Sequence, residues 1–172
     1  MAAYRAYLTS LYGFESPFEE ALALSGHVAL GFVAPRIKTG RIADDLLALG
    51  LTAADFVRLS RRQHIDRFSS AAQSLGWLYV IERLTLHHGA LRDHLAATLP
   101  DELAVAGSYL AAYDGDTGDL WRELRLELEH VARSPAAADR MVAAAHEAFA
   151  CQIAWLEQAE GDGSVLVMPL HA

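Results

Sequence analysis

Cysteine is all but absent from this chain. Cys151 stands alone among 172 residues, so no disulfide can form within it. Basic residues are scarce: 14 Lys and Arg face 22 Asp and Glu, for a net charge of -8. That balance argues against a general binder of phosphate backbones, which needs a basic face, and no nucleic-acid partner is expected. No apolar run approaches the roughly 18–20 residues of a membrane span. The opening MAAYRAYLTS lacks both the basic and the apolar regions of a secretory signal, so neither a membrane nor export is expected. A cytoplasmic protein is the simplest expectation. No stretch alternates apolar and polar residues strongly enough to propose a sheet. Repeats, linkers and low-complexity segments are missing too.

What remains is rich in apolar residues, 53 % of the chain, enough for one domain with one core. Helix signals run from end to end. Tyr4, Tyr7, Leu8 and Leu11 sit at helical spacing. Ser16, Pro17 and Glu19 have the order of a cap, a first-turn proline and a capping-box acid, which predicts a second helix running to about Val33. Pro35 and Gly40 punctuate a loop, and Arg41–Leu49 reads as a short helix. Thr52 and Asp55 form another capping pattern. Phe68, Ala71, Ala72, Leu75, Leu78 and Tyr79 make a helical stripe. That helix either continues or kinks through His87, His88 and Gly89 to Leu95. A short helix follows from Pro100 to about Tyr113, then a Gly-rich turn at 114–118. Trp121, Leu124, Leu128 and Val131 mark the next helix. Ser134 and Pro135 open the last one, with Val142, Ala145, Phe149, Ile153 and Leu156 as its expected buried stripe. The reading is an all-α, single-domain helical bundle over residues 1–160, with an irregular tail at 161–172.

Five segments, in order, resemble the bacterial biliverdin-producing heme oxygenases. They are Tyr4-Arg5-Ala6-Tyr7-Leu8 with Leu11-Tyr12-Gly13-Phe14 and Pro17-Phe18-Glu19; Asp45-Leu46-Leu47-Ala48-Leu49-Gly50-Leu51; Ser74-Leu75-Gly76-Trp77-Leu78-Tyr79-Val80-Ile81-Glu82; Ser108-Tyr109-Leu110 with Tyr113, Gly115, Gly118 and Trp121; and Phe149 with Trp155-Leu156. The resemblance implies a bundle that clasps heme between a proximal and a distal helix. It also marks two departures. The family's axial histidine lies on a helix before the segment that begins here at Tyr4, so this sequence is expected to lack it. On the distal side the family continues with "GSTLGG", whose glycines let the backbone approach the heme. Here Glu82, Thr85 and Leu86 match, whereas Arg83, Leu84, His87 and His88 put larger side chains in that place.

The remnant distal positions are therefore Glu82, Arg83, Leu84, Thr85, His87 and His88. His87 and His88 are the candidate heme ligands, since neutral imidazole binds iron, yet neighbours on a helix point about 100° apart and cannot share one iron. Packing or surface roles at a helix bend are the expectation for both. His94 lies too far along the helix to complete a metal site with His87. Glu127 and His130 form only one of the two Glu-x-x-His motifs that a di-iron bundle needs. His27 and His64 read as ordinary histidines, His27 partly buried. Arg58, Arg61, Arg62 and Arg67, with Arg36, Lys38 and Arg41 earlier, are either a remnant of the family's propionate contacts or solvated helix ends. Tyr4, Tyr7, Tyr12, Phe14 and Phe18 are expected to leave an exposed aromatic surface that fits a protein partner. The expectation is thus a non-catalytic, heme oxygenase-like interaction protein without cofactor or metal, a homodimer acting on a signalling protein such as a sensor kinase. The alternatives are an authentic heme oxygenase or a heme or tetrapyrrole carrier or sensor.

Overall fold

The computed structural model describes residues 2–59 and 64–161, with side chains to Gln158. Among them every regular element is a helix. These are α1 (Ala2–Ser25), α2 (Leu30–Val33), a 3-10 turn (Ala34–Arg36), α3 (Thr39–Ala48), α4 (Ala53–Phe56), α5 (Ala71–Glu82), a second 3-10 turn (Arg83–His87), α6 (His88–Thr98), α7 (Pro100–Val105), α8 (Thr117–Val131) and α9 (Pro135–Gly161). No described helix is long and apolar enough to cross a membrane. The expected 161–172 tail falls, beyond Gly161, outside the described residues, as do Arg61 and Arg62.

The N-terminal region departs from its sequence reading. Ser16 and Pro17 do not open a helix; they lie inside α1. Pro17 has no N–H to offer the Gly13 carbonyl, a loss that costs about 3 kcal/mol in an ordinary helix. Tertiary packing outweighs it here. All six residues from Ser10 to Glu15 are buried, so the middle of α1 is wrapped on every side rather than half-exposed. The helix stops at Ser25 instead of running to Val33 because Gly26 turns the chain with φ 65°, the left-handed conformation that ends helices. Other caps follow the sequence. Thr52 and Asp55 form the expected capping box, and Ser134 Oγ accepts from the Ala137 N–H at 3.2 Å.

Two apolar clusters share α1. Its first half gives Tyr4, Leu8, Leu11 and Tyr12 to a cluster with Ile42, Leu46, Leu95 and Tyr109. Its second half gives Phe14, Phe18, Ala21 and Leu22 to a cluster around Trp77. The Trp77 ring lies parallel to Phe14 and Phe18 at 6.4 and 6.3 Å between centroids. The N-terminal aromatics are therefore core and not an exposed surface: Tyr4, Tyr12, Phe14 and Phe18 are buried and Tyr7 is partly so. The cause is cover from later elements. The Tyr4 hydroxyl donates to the Ala106 carbonyl at 2.7 Å, and Trp155 Nε1 donates to the Ser10 carbonyl at 2.9 Å.

Helix α5 packs along α9 over the most extensive helix–helix contact among the described residues. Ala144, Ala148 and Gln152 of α9 are buried there, while the expected stripe residues Val142, Ile153 and Leu156 are exposed. Alanine decides the face because only a thin layer of side chains fits between these backbones. At Gly76 even a methyl group has no room: a Cβ would lie 2.4 Å from the Met141 carbonyl oxygen and 2.8 Å from Ala144 Cβ. Gly→Ala within a helix ordinarily stabilises by up to about 1 kcal/mol. Gly76→Ala should do the reverse, destabilising by about 1–3 kcal/mol as the helices are forced apart. Thermal unfolding followed by circular dichroism measures this, and an unchanged or raised midpoint would refute the tight α5–α9 contact.

Candidate functional site

At the seam between the two clusters the interior turns polar. Glu15 and Glu19 on α1, Arg36 and Lys38 before α3, Asp45 on α3, Glu82 at the end of α5 and His88 at the start of α6 are all buried. Glu82 is the hub. Lys38 Nζ donates to its Oε1 at 2.7 Å, the Tyr113 hydroxyl lies 2.9 and 3.0 Å from its two oxygens, and Arg36 Nε stands 3.8 Å away. The Arg36 guanidinium also donates to the Phe32 and Leu120 carbonyls and to Glu123.

Two further carboxylates act as caps at a distance. Glu19 accepts from the backbone N–H groups of Lys38 and Thr39, starting α3 where no local side chain does so. Asp45 accepts from the N–H groups of Ser108 and Tyr109 at 2.9 and 2.8 Å, holding the segment that carries Tyr109 and Tyr113. Glu15 accepts one hydrogen bond, from the Tyr109 hydroxyl at 2.8 Å.

These environments set the charges. Burial works against a charge on Lys38, yet Glu82 and Glu15 outweigh it and hold the amine above the ordinary lysine range. Burial pushes the Glu15 carboxyl up to about 7, with Lys38 opposing and Glu19 adding to the shift. Burial pushes His88 down to about 4, helped by Lys38 and His87. Near neutral pH His88 is therefore uncharged and Glu15 is partly protonated.

The segment after Glu82 explains how His88 reaches this interior. A 3-10 turn has three residues per turn, so side chains at i and i+3 eclipse. Glu82, Thr85 and His88 follow at that spacing, and all three are buried. Thr85 Oγ1 donates to the Glu82 carbonyl at 2.7 Å and accepts from Trp121 Nε1 at 3.2 Å. His88 packs against Tyr109 with ring centroids 4.7 Å apart. The other positions diverge. Arg83 lays its guanidinium over the Phe149 ring at 4.7 Å, Leu84 packs partly buried against the first cluster, and Leu86 and His87 face solvent.

The remaining candidates stay apart from this site. His27 is exposed, not partly buried as expected, because the helix ends before it and Gly26 turns it outward. His64 is exposed and pairs with Asp66 at 2.6 Å. His94 and His130 are exposed, and Glu127 is partly so. Arg58 and Arg67 are exposed, Arg58 pairing with Asp55. Arg36 and Lys38 are neither solvated helix ends nor a surface anion site. Among the described residues no three His, Cys, Asp or Glu side chains are placed to hold a metal ion. Sequence reasoning passed over Glu15, Asp45, Tyr109 and Tyr113 as polar interior groups. An acid amid Leu11, Tyr12, Phe14 and Phe18 was the available signal for Glu15. Glu19 was read as a local cap and serves α3 instead.

Heme does not fit these residues. The buried imidazole of His88 packs on Tyr109 within the polar seam, Arg83 covers Phe149, and the cations nearest Glu82 are engaged by that carboxylate. An open groove of about 670 Å³ between Pro35, Tyr113 and α8 mixes Arg41 and Arg122 with Asp116, Asp119 and Glu123, so it does not select a dianion.

Two outcomes follow. Lys38→Met leaves Glu82 without its closest cation and should cost about 3–5 kcal/mol by urea unfolding, with part regained in Lys38→Met/Glu82→Leu. A loss under about 1 kcal/mol would show that the pair does not govern the interior. For Glu15, a raised folded value means that stability is full below the ordinary glutamate range and is lost as pH rises towards 7. Glu15→Gln should thus gain on the wild type by roughly 2–3 kcal/mol at pH 8 and by little at pH 4. His88 has the opposite sign: its contribution is full above the ordinary histidine range and is lost as pH falls towards 4. Parallel stability–pH curves for wild type and Glu15→Gln would refute the Glu15 assignment.

Comparison with known proteins agrees with the architecture. A family model described as heme oxygenase matches residues 1–158. No curated protein and no solved structure matches the chain. With all but the last 14 of its residues inside that match, the chain belongs to the heme oxygenase family.

Proposed function

We propose that this member of the heme oxygenase family does not degrade heme and works as a regulatory, protein-binding module, as a homodimer, on a signalling partner such as a sensor kinase. One observation carries the first part: the Glu82–Thr85–His88 rung turns its histidine into the polar seam, under Tyr109. The same stretch of the family is held open by glycines, and catalysis there needs an axial imidazole that fixes the iron. Here the closed stretch is tied through Glu82 to Arg36 and Lys38 before α3 and to Tyr113, so opening it would expose the buried ion pair as well as a histidine. The partner reading rests on the family's association with biliverdin-using sensors, an analogy of fold.

Hemin titration of the full chain should give no Soret shift with micromolar affinity and defined stoichiometry. His88 is the imidazole on which a heme-binding reading would depend, being neutral and buried. Tight one-to-one binding that His88→Ala abolishes and His87→Ala spares would overturn the non-catalytic assignment. Light scattering at micromolar concentration tests the dimer, which a monomeric mass would exclude.

A further inference from the structure

Among the buried polar atoms without a hydrogen-bond partner in the described residues, three belong to side chains that touch Tyr109: Glu15 Oε2, His88 Nδ1 and His88 Nε2. They belong to side chains that are almost wholly enclosed, Glu15 at 0 % and His88 at 5 % exposure. Both residues touch the same phenol. Tyr109 donates its hydroxyl proton to Glu15 Oε1 and lies against the His88 ring. Enclosed polar atoms without partners are rare in folded proteins, because each forfeits its hydrogen bonds to water. Three such atoms around one ring point to a common ligand.

The chemistry of that ligand is constrained. A carboxyl group whose Oε1 is already an acceptor, and which is partly protonated, offers a donor or an acceptor at Oε2. A neutral imidazole offers one donor and one acceptor. The charged neighbours are already matched: Lys38 and Arg36 from the approach to α3 face Glu82 from α5, and Glu19 from α1 caps Lys38 and Thr39. Tyr113 also faces Glu82. An added ion would meet no free counter-charge. A small neutral molecule that both donates and accepts meets every requirement, and water is the one that a sealed interior can admit.

We propose that Glu15, Tyr109 and His88 form an interior site for bound water, which bridges the free carboxyl oxygen of α1 to the imidazole of α6. The water accepts from or donates to Glu15 Oε2 and completes the imidazole's hydrogen bonding. It thereby ties the junction of the Arg83–His87 turn and α6 to α1 without a direct contact between His88 and Glu15. This site stands whether or not the protein regulates a partner.

A crystal structure of the full chain fine enough to show ordered solvent tests it, together with Glu15→Gln and His88→Phe. Solvent density should lie within about 3.2 Å of both Glu15 Oε2 and a His88 ring nitrogen. Glu15→Gln should retain it, because the carboxamide nitrogen donates from the same place. His88→Phe should lose it, because the new ring packs on Tyr109 and offers no polar atom. A dry wild-type interior, a direct hydrogen bond from His88 to a protein atom, or unchanged density in His88→Phe would each overturn the proposal. Ring-nitrogen NMR of the wild type reads the site without any variant. One His88 nitrogen should be protonated and the other accepting, with exchange cross-peaks from the ring to water, and their absence would overturn the proposal equally.

Discussion

Lys38 keeps its charge where burial opposes it, and the rest of the interior is arranged around that fact. A lone ammonium group in such a place would lose its proton or unfold the chain. Glu82 prevents both, at 2.7 Å. Once the pair is fixed, α5 must end where it does, so that its last residue meets the approach to α3. Tyr113 must reach the same carboxylate, which draws in the segment after α7. The two apolar clusters each stop at this seam, and α1 passes from one to the other beside it.

The seam also connects the fold to the proposed loss of heme chemistry. The family's distal stretch is open because small residues leave its backbone bare. In this chain the same stretch follows directly on Glu82 and takes the angular phase of a 3-10 turn. That phase directs every third side chain inward. Thr85 and His88 thereby extend the polar layer that the ion pair begins, and Arg83 and Leu84 close the sides. The side chains of this stretch thus do more than fill space: they join it to the interior.

Much of the fold was legible in the sequence, and the errors have physical causes. The capping box at Thr52 and the start at Ser134 rest on short-range hydrogen bonds, which neighbouring residues determine. Pro17 misled because its local preference for a helix start was overruled by the burial of Phe14 and Phe18 around it. On α9 the larger apolar residues suggested one face, while the backbone of Gly76 selected the alanine face beside it. The aromatic N-terminal residues gave no sign of their cover, since Ala106 and Trp155 lie about a hundred or more residues away. The candidate site was legible only in part for the same reason. His88 and Glu82 stood out, but Glu15, Asp45 and Tyr109 gain their roles from partners distant along the chain.

Those distances bear on how the chain reaches its native state. Glu15 meets Tyr109 across 94 residues, Asp45 meets Ser108 across 63 and Lys38 meets Glu82 across 44. Each closure loses loop entropy that the contact alone does not recover, and each carboxylate stays hydrated until its partner arrives. The helices, built from near contacts, can form while these groups are still in water, whereas both apolar clusters wait on closures as long as those of the seam. Dehydration of the seam therefore waits on closures of 44 to 94 residues, so the polar interior and the apolar clusters are completed by the same long-range docking of α1 and α3 against the later helices.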